Sequence, residues 1–395
     1  MLKKLLNKNS LTVIGLNAGT SADGLDLAAV RINLTGHKIN SKFIEGATVI
    51  YTKNLREKVH LAIANKLSLD ELLELDRQLG HFYGQQAINF IKRLKEKKVR
   101  PDIIASHGQT VRHLPGRFKI NGRKASGTLQ LGHPETISEL TGLVTVADFR
   151  QADIAAGGEG APITSYPMWQ LFADKKSDRL LINIGGIANY FFLPHNSPPD
   201  KIMAKDCGPG NTLLDLATEK YFGKKYDYGG QLASIGNISR RLLSILLSDK
   251  FLKGKFGPST GRERFGFEFL EKVERSSAKL KLDENDILAT LTELTAMGIK
   301  TSLLPILKKY AINEIYLFGG GVHNLFLIDR LIAHINNGIV FFKVDRFRLN
   351  SDYLEAICYA LLGAMTLHTT PAGLPDITGA NRRAVCGRIV QPSIK

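Results

Sequence analysis

Three glycine turns, each joined to a short apolar run, constrain this chain more than any other feature. Residues 11–16 (Leu-Thr-Val-Ile-Gly-Leu) have strand character, Gly19 to Gly24 forms a turn, and residues 25–34 alternate well enough to return as a second strand. The same design recurs in Arg179-Leu-Leu-Ile-Asn-Ile184, then Gly185-Gly186, then Ile187 to Leu193. A third turn, Gly319-Gly320-Gly321, closes the apolar run 315–318 and precedes a helical pattern over 322–336. Strand, glycine turn and return strand at two places suggest two related lobes. With 395 residues there is enough chain for both.

Helical periodicity fills the intervals at 69–98, 238–252, 265–280, 286–310 and 352–367, with Pro305 expected to kink or end the fourth. The fold class that follows is α/β, with a mixed β-sheet and flanking helices in each lobe. One lobe is expected to comprise residues 1–140 plus about 352–395, the other about 141–351, with ligands bound in the cleft between them. Proline and glycine clusters at 114–127 and 194–200 read as exposed loops.

The charge is strongly one-sided, because 53 Lys and Arg against 37 Asp and Glu leave a net +16. No aromatic interleaving, zinc spacing or reading module accompanies it, so nucleic acid is not the expected partner. Much of the excess, such as Lys92, Arg93, Lys95, Lys97 and Lys98, sits at a helix end and reads as solvated surface. Cys207, Cys358 and Cys386 are too few and too widely spaced for a disulfide framework. His107, His113 and His133 lack the spacing of a zinc site. The best apolar run, 356–365, is half of the roughly 20 residues a spanning helix needs. No apolar stretch with a cleavage site follows the basic start, so no membrane association and a cytoplasmic location are the expectations.

No P-loop, dinucleotide fingerprint or nucleophile elbow is present. The glycine turns offer a different route to a nucleotide, since a phosphate approaches the main chain only where side chains are missing, and successive N–H groups form an anion nest. In the first turn Thr20 and Ser21 add hydroxyl donors. Asp23 and Asp26 add carboxylates able to position a hydrated Mg²⁺.

This arrangement resembles the superfamily of actin, the chaperone ATPases and sugar kinases. More closely, the chain resembles the anhydro-N-acetylmuramic acid kinase family. The resemblance is carried by Gly15-Leu-Asn-Ala-Gly-Thr-Ser-Ala-Asp-Gly-Leu-Asp26, Ser106-His-Gly-Gln-Thr-Val-Arg-His113 and Val146-Ala-Asp-Phe-Arg150 with Ala155 to Pro162. Asn183 to Asn189, Asp206-Cys-Gly-Pro-Gly-Asn211, Ser259 to Glu263 and Ala289 to Ala296 continue it. Gly319 to Asn324, Glu355-Ala356 and Thr378-Gly-Ala380 complete it in the expected order.

The resemblance implies ATP-dependent phosphorylation coupled to opening of a 1,6-anhydro sugar by water, with ATP and Mg²⁺ required and a homodimer expected. It places a general base at Asp206 and an assisting carboxylate at Glu355. Taken alone, Asp206 would read as a helix N-cap before Thr212, and Glu355 as a first-turn glutamate. Nucleotide contacts are expected at Gly19, Thr20, Ser21, Ala22, Asp23, Gly24, Leu25, Asp26, Gly185, Gly186, Asn189, Gly319, Gly320, Gly321 and Asn324, with Asp23 nearest the metal. His107, Gln109, Thr110, Arg112 and Arg150 are expected on the sugar side. Asn17-Ala18, His133 and Pro258 depart from the family pattern, and 114–128 is longer and carries Arg117, Lys119, Arg123 and Lys124. These departures leave a levoglucosan kinase as an alternative; a non-catalytic nucleotide-binding relative is a second, against which the presence of Asp206, Glu355 and all three turns argues.

Overall fold

The structure, a computed structural model, describes residues 2–19, 22–34, 39–254, 260–261, 264–335 and 338–393. Its strands are β1 (Ser10–Ala18), β2 (Gly24–Asn33), β3 (Asn40–Ile50), β4 (Ile103–Ile120), β5 (Arg123–Leu131), β6 (Val144–Ala147), β7 (Arg179–Ile184), β8 (Ile187–Leu193), β9 (Met203–Pro209), β10 (Glu314–Phe318), β11 (Val340–Lys343) and β12 (Arg388–Val390). They form two mixed sheets flanked by helices, the α/β class expected.

Unit 1 comprises Met1–Ala173, Ser197–Ile202 and Arg348–Lys395. Its sheet runs β12-β6-β4-β1-β2-β3, with β5 paired to β4. Side chains alternate across β1: Leu11 and Val13 enter one apolar layer, Ile14 and Leu16 the other. Both faces are covered, which is why Leu11 to Ala18 are all buried. One layer is closed by the helix Leu354–Leu367, in which every residue except Glu355 is buried. The other is closed by the helix Leu69–Glu96, started by a capping box between Ser68 and Glu71 and buried through Leu75, Leu79, Tyr83, Ala87, Phe90 and Leu94.

Unit 2 comprises Asp174–Asn196 and Met203–Phe347. Its sheet runs β11-β10-β7-β8-β9, parallel over the first three strands and antiparallel over the last three. Residues 141–173, expected in the second lobe, lie in unit 1 because β6 pairs with β4 and β12.

Three further expectations change. Residues 114–127 form no loop but most of a long hairpin, β4 to β5. Asn121 and Gly122, at φ 50° and 77°, supply the two left-handed residues that a tight hairpin turn needs. Pro115 and Gly116 are absorbed in a register shift between Leu114 and Phe118. The helix around Pro305 does not end there but runs Glu284–Lys309, so the proline loses a hydrogen bond only near the last turns. That helix, and not 356–365, is the one long and apolar enough to cross a membrane among the described residues; 72% of its most apolar window is buried inside the protein. All three cysteines are free and buried.

Candidate functional site

The expected residues form two clusters, one in each unit. In unit 1 the β1–β2 turn is closed by the Ala22 N–H donating to the Gly19 carbonyl at 3.1 Å. Space around Gly19 is open: a Cβ built there meets nothing within 4 Å. Thr20 and Ser21 lie outside the described residues. Leu25 is buried in the core beneath the turn, so its side chain faces the sheet.

Gln109 lies fully buried under this turn. Its amide donates to the Gly19 carbonyl at 3.3 Å, while its Oε1 accepts from the Tyr51 hydroxyl, itself 2.7 Å from the Tyr83 hydroxyl. Gln109 therefore braces the β1–β2 turn from below. Asp26 accepts from the Thr48 hydroxyl at 2.6 Å. Burial pushes its carboxyl up to about 7, with Glu355, Asp23 and Asp352 adding to the shift and the Thr48 bond opposing it.

That shift has a stability consequence whose sign is definite. An unfolded aspartate loses its proton near 3.8, and the folded one near 7, so folding binds a proton between those values. Stability accordingly falls as pH rises through this window. Asp26→Asn removes the penalty. We expect the variant to gain about 1–3 kcal/mol on the wild type between pH 5 and pH 8. Urea unfolding at both pH values measures it; a pH-independent difference would remove the assignment.

The residues expected on the sugar side separate. His107 is buried, its ring stacked on Tyr359 with centroids 4.4 Å apart. Burial, reinforced by Arg150, holds it well below the usual histidine range, so it is neutral and accepts. Arg150 donates to His107 Nε2 through Nε and Nη2 at 3.1 Å each, and through Nη1 to the Gly160 carbonyl at 2.9 Å. The Thr110 hydroxyl accepts from Gln130 Nε2 at 3.1 Å, and Arg112 is exposed on the hairpin. Burial and Arg150 also lower His113, to about 4.

The glycine-rich loop 155–162 has an organiser that sequence reading missed. Fully buried Asp153 accepts from the Gly160 N–H at 2.9 Å and from the Thr378 hydroxyl at 2.7 Å. Glu159 N–H donates to the Thr378 carbonyl, and Asn381 N–H to the Ala156 carbonyl. Two motifs far apart in sequence are thus one substructure.

His133, one of the departures, caps the helix Pro134–Thr141 by accepting the Thr136 N–H at 3.2 Å. It does the capping work that aspartate or asparagine more often does at a helix start.

In unit 2 the turn Gly185-Gly186 joins β7 to β8, and the start of the helix Asn211–Phe222 is fastened to it. The N–H groups of Asn211 and Gly210 donate to the Gly185 and Gly186 carbonyls at 2.8 and 3.0 Å, and that of Thr212 to Gly186 at 3.1 Å. A Cβ on Gly210 would stand 2.3 Å from the Gly185 oxygen, so only glycine permits this approach. The helix is capped at Gly210, which excludes Asp206 as its N-cap. Asp206 instead lies within β9, opposite Asn189 in register, and its Oδ2 accepts the Thr260 N–H at 2.8 Å. Asn189 Oδ1 and Thr212 Oγ1 are buried polar atoms without a hydrogen-bond partner among the described residues, as suits groups that meet a ligand or water.

The third turn follows β10. Gly319 has φ 85° and Gly320–His323 form one turn of 3₁₀ helix. Asn324 Oδ1 accepts the Leu327 N–H at 3.0 Å and so caps the helix Leu325–Ile335. Asn211, whose Nδ2 donates to the Ile184 carbonyl at 3.1 Å, is a further polar residue at these turns.

Glycine turns at strand ends, with open space at Gly19, a carboxylate fixed by a main-chain donor in one unit and a neutral histidine beside an arginine in the other are chemistry that suits phosphoryl transfer on an α/β fold. Sequence comparison makes the class specific. The profile described as anhydro-N-acetylmuramic acid kinase matches residues 11–392, and the chain belongs to that family. It is 33% identical to the anhydro-N-acetylmuramic acid kinase of Caldanaerobacter subterraneus subsp. tengcongensis, over 98% of this chain and 99% of that one. It is 38% identical to the enzyme of the same name from Picosynechococcus sp., over 97% and 100%. Among solved structures it is similar to an activator of the 2-hydroxyisocaproyl-CoA dehydratase from Clostridium difficile with bound ADPNP, at 12% identity and a TM-score of 0.43 over 90% and 96% of the two chains. That likeness is too distant to add to the family assignment. Relatives of this name favour neither levoglucosan nor a non-catalytic role.

Proposed function

We propose that the protein is an ATP-dependent anhydro-N-acetylmuramic acid kinase. Water adds to C1 of the sugar, the C1–O6 bond of the anhydro bridge breaks, and O6 takes the γ-phosphoryl group of ATP. N-acetylmuramic acid 6-phosphate and ADP result, a reaction of cell-wall recycling. Asp206 takes the proton of the attacking water. The observation that carries this reading is the placement of Asp206: a strand residue beside the Gly185-Gly186 turn, its direction set by a main-chain donor. Gly19, Ala22, Asp23 and Gly24, with the Gly185 and Gly319 turns, serve the phosphates and nucleoside. Glu355 assists at the sugar.

The donor set fits Mg²⁺ held through its water shell. Among the described residues no three His, Cys, Asp or Glu side chains gather to hold a metal ion, yet Asp23, Asp26 and Glu355 concentrate negative charge near the turn. Asp23 is the residue that would position the hydrated ion, which neutralises phosphate charge when bound. The family resemblance further supports a cytoplasmic homodimer.

The test is ADP release with 1,6-anhydro-N-acetylmuramate, with levoglucosan and with no sugar. We expect strong stimulation by the first alone. Preference for levoglucosan, or no stimulation by either, overturns the reading.

A further inference from the structure

Strand alternation puts Gly15 and Asn17 on the same face of β1 as Leu11 and Val13, the face closed by the helix Leu354–Leu367. At Gly15 a Cβ would stand 1.9 Å from the Ala356 carbonyl oxygen, so the missing side chain lets the first turn of that helix touch the strand. Two residues further along β1, Asn17 meets the one residue of the helix that is not buried. Its Nδ2 donates to Glu355 Oε2 at 2.9 Å.

The two partners differ in environment. Asn17 is 3% exposed, so little water competes for its amide, while Glu355 is exposed. Across the β1–β2 pairing Asn17 lies opposite Asp26, and Asp23 and Asp352 add negative charge to the same neighbourhood. Repulsion from these groups favours a Glu355 carboxylate turned away from them, and a buried donor beneath it opposes that. A lysine or arginine in the same place would also hold the carboxylate but would cancel its charge. A neutral amide fixes direction without itself cancelling the charge.

We propose that Asn17 is a positioning residue for the reaction, holding the Glu355 carboxylate in one orientation from within the sheet. This rests on the reading of Glu355 as the group assisting at the sugar.

Initial rates of ADP release, with each substrate varied, test it in Asn17→Leu, Asn17→Ser, Glu355→Gln and the double variant N17L/E355Q. Asn17→Leu is expected to lower kcat about ten-fold, the effect of one hydrogen bond to a charged group, with the KM for ATP unchanged. Asn17→Ser, which keeps a donor, recovers part of the loss, and the double variant is no slower than Glu355→Gln. Wild-type kcat in Asn17→Leu beside a slow Glu355→Gln overturns the positioning role. So does a loss that falls equally on kcat and the KM for ATP and that serine does not recover. Wild-type kcat in Glu355→Gln overturns the reading of Glu355 and this proposal with it. If Asn17→Leu does not fold, the nearly isosteric Asn17→Asp, with no amide donor, takes its place with the same expected loss and the same overturning result.

Discussion

Asp206→Asn is expected to lower turnover by about 10²–10⁴-fold while leaving ATP affinity within a few-fold of the wild type. The substitution is nearly isosteric, and an amide oxygen can still accept the Thr260 N–H that fixes the side chain. The lost property is the capacity to take a proton from water. Because Asp206 belongs to a strand and caps no helix, its replacement leaves the start of the Asn211–Phe222 helix intact. Calorimetric titration with ATP and a single-turnover assay separate the two effects. Near-normal turnover would remove Asp206 from the mechanism, and a parallel collapse of ATP binding would make its role structural.

Glu293→Ala is expected to cost about 3 kcal/mol of stability, the lower end for breaking a buried ion pair, since Arg330 keeps some solvent contact. Glu293 is buried in the helix Glu284–Lys309. It accepts from Arg330 Nε and Nη2 at 2.7 and 3.1 Å and pairs with His334 at 2.6 Å. Both partners sit on the helix that follows the third glycine turn, so the loss loosens the base of that turn as well. Burial alone would raise the Glu293 carboxyl, but the bonds from Arg330 and His334 outweigh it and leave the group below its usual value. The contribution is therefore present above the ordinary glutamate range and is lost as pH falls through the folded-state value. Urea denaturation at neutral and acidic pH measures both parts. A cost below about 1 kcal/mol at neutral pH would show the pair to be a surface contact in effect.

What sequence could reveal about this fold was what depends on local order. Strand alternation and glycine turns are short-range signals, so β1–β2, β7–β8 and the turn after β10 were legible, as was the helix around 354–367. The hairpin at 114–127 was not, because Pro115 and Gly116 dominated the reading, although Asn121-Gly122 carried the turn signal throughout. His133 looked like a change at the sugar and is a helix cap. Asn17 was legible only as a departure from the family pattern, yet its partner is 338 residues away. Asp153 and Thr378 are separated by 225. Contacts of that range leave no periodic trace in sequence; only the folded sheet brings them together.

The last segment of unit 1 has a consequence for how the chain is made. Residues 348–393 deliver Glu355, the helix closing one face of the seven-stranded sheet, Thr378 under the glycine-rich loop, and the edge strand β12. Residues 174–196 and 203–347, nearly an uninterrupted stretch, form unit 2 with its own apolar core. During synthesis unit 2 has all of its residues before unit 1 has its closing helix. For many seconds, at roughly 5–20 residues per second, the half-built sheet of unit 1 must wait with one apolar face bare. Chaperone demand and proteolytic risk therefore fall on the amino-terminal sheet, and synonymous or temperature changes that slow elongation after residue 347 lengthen that exposure.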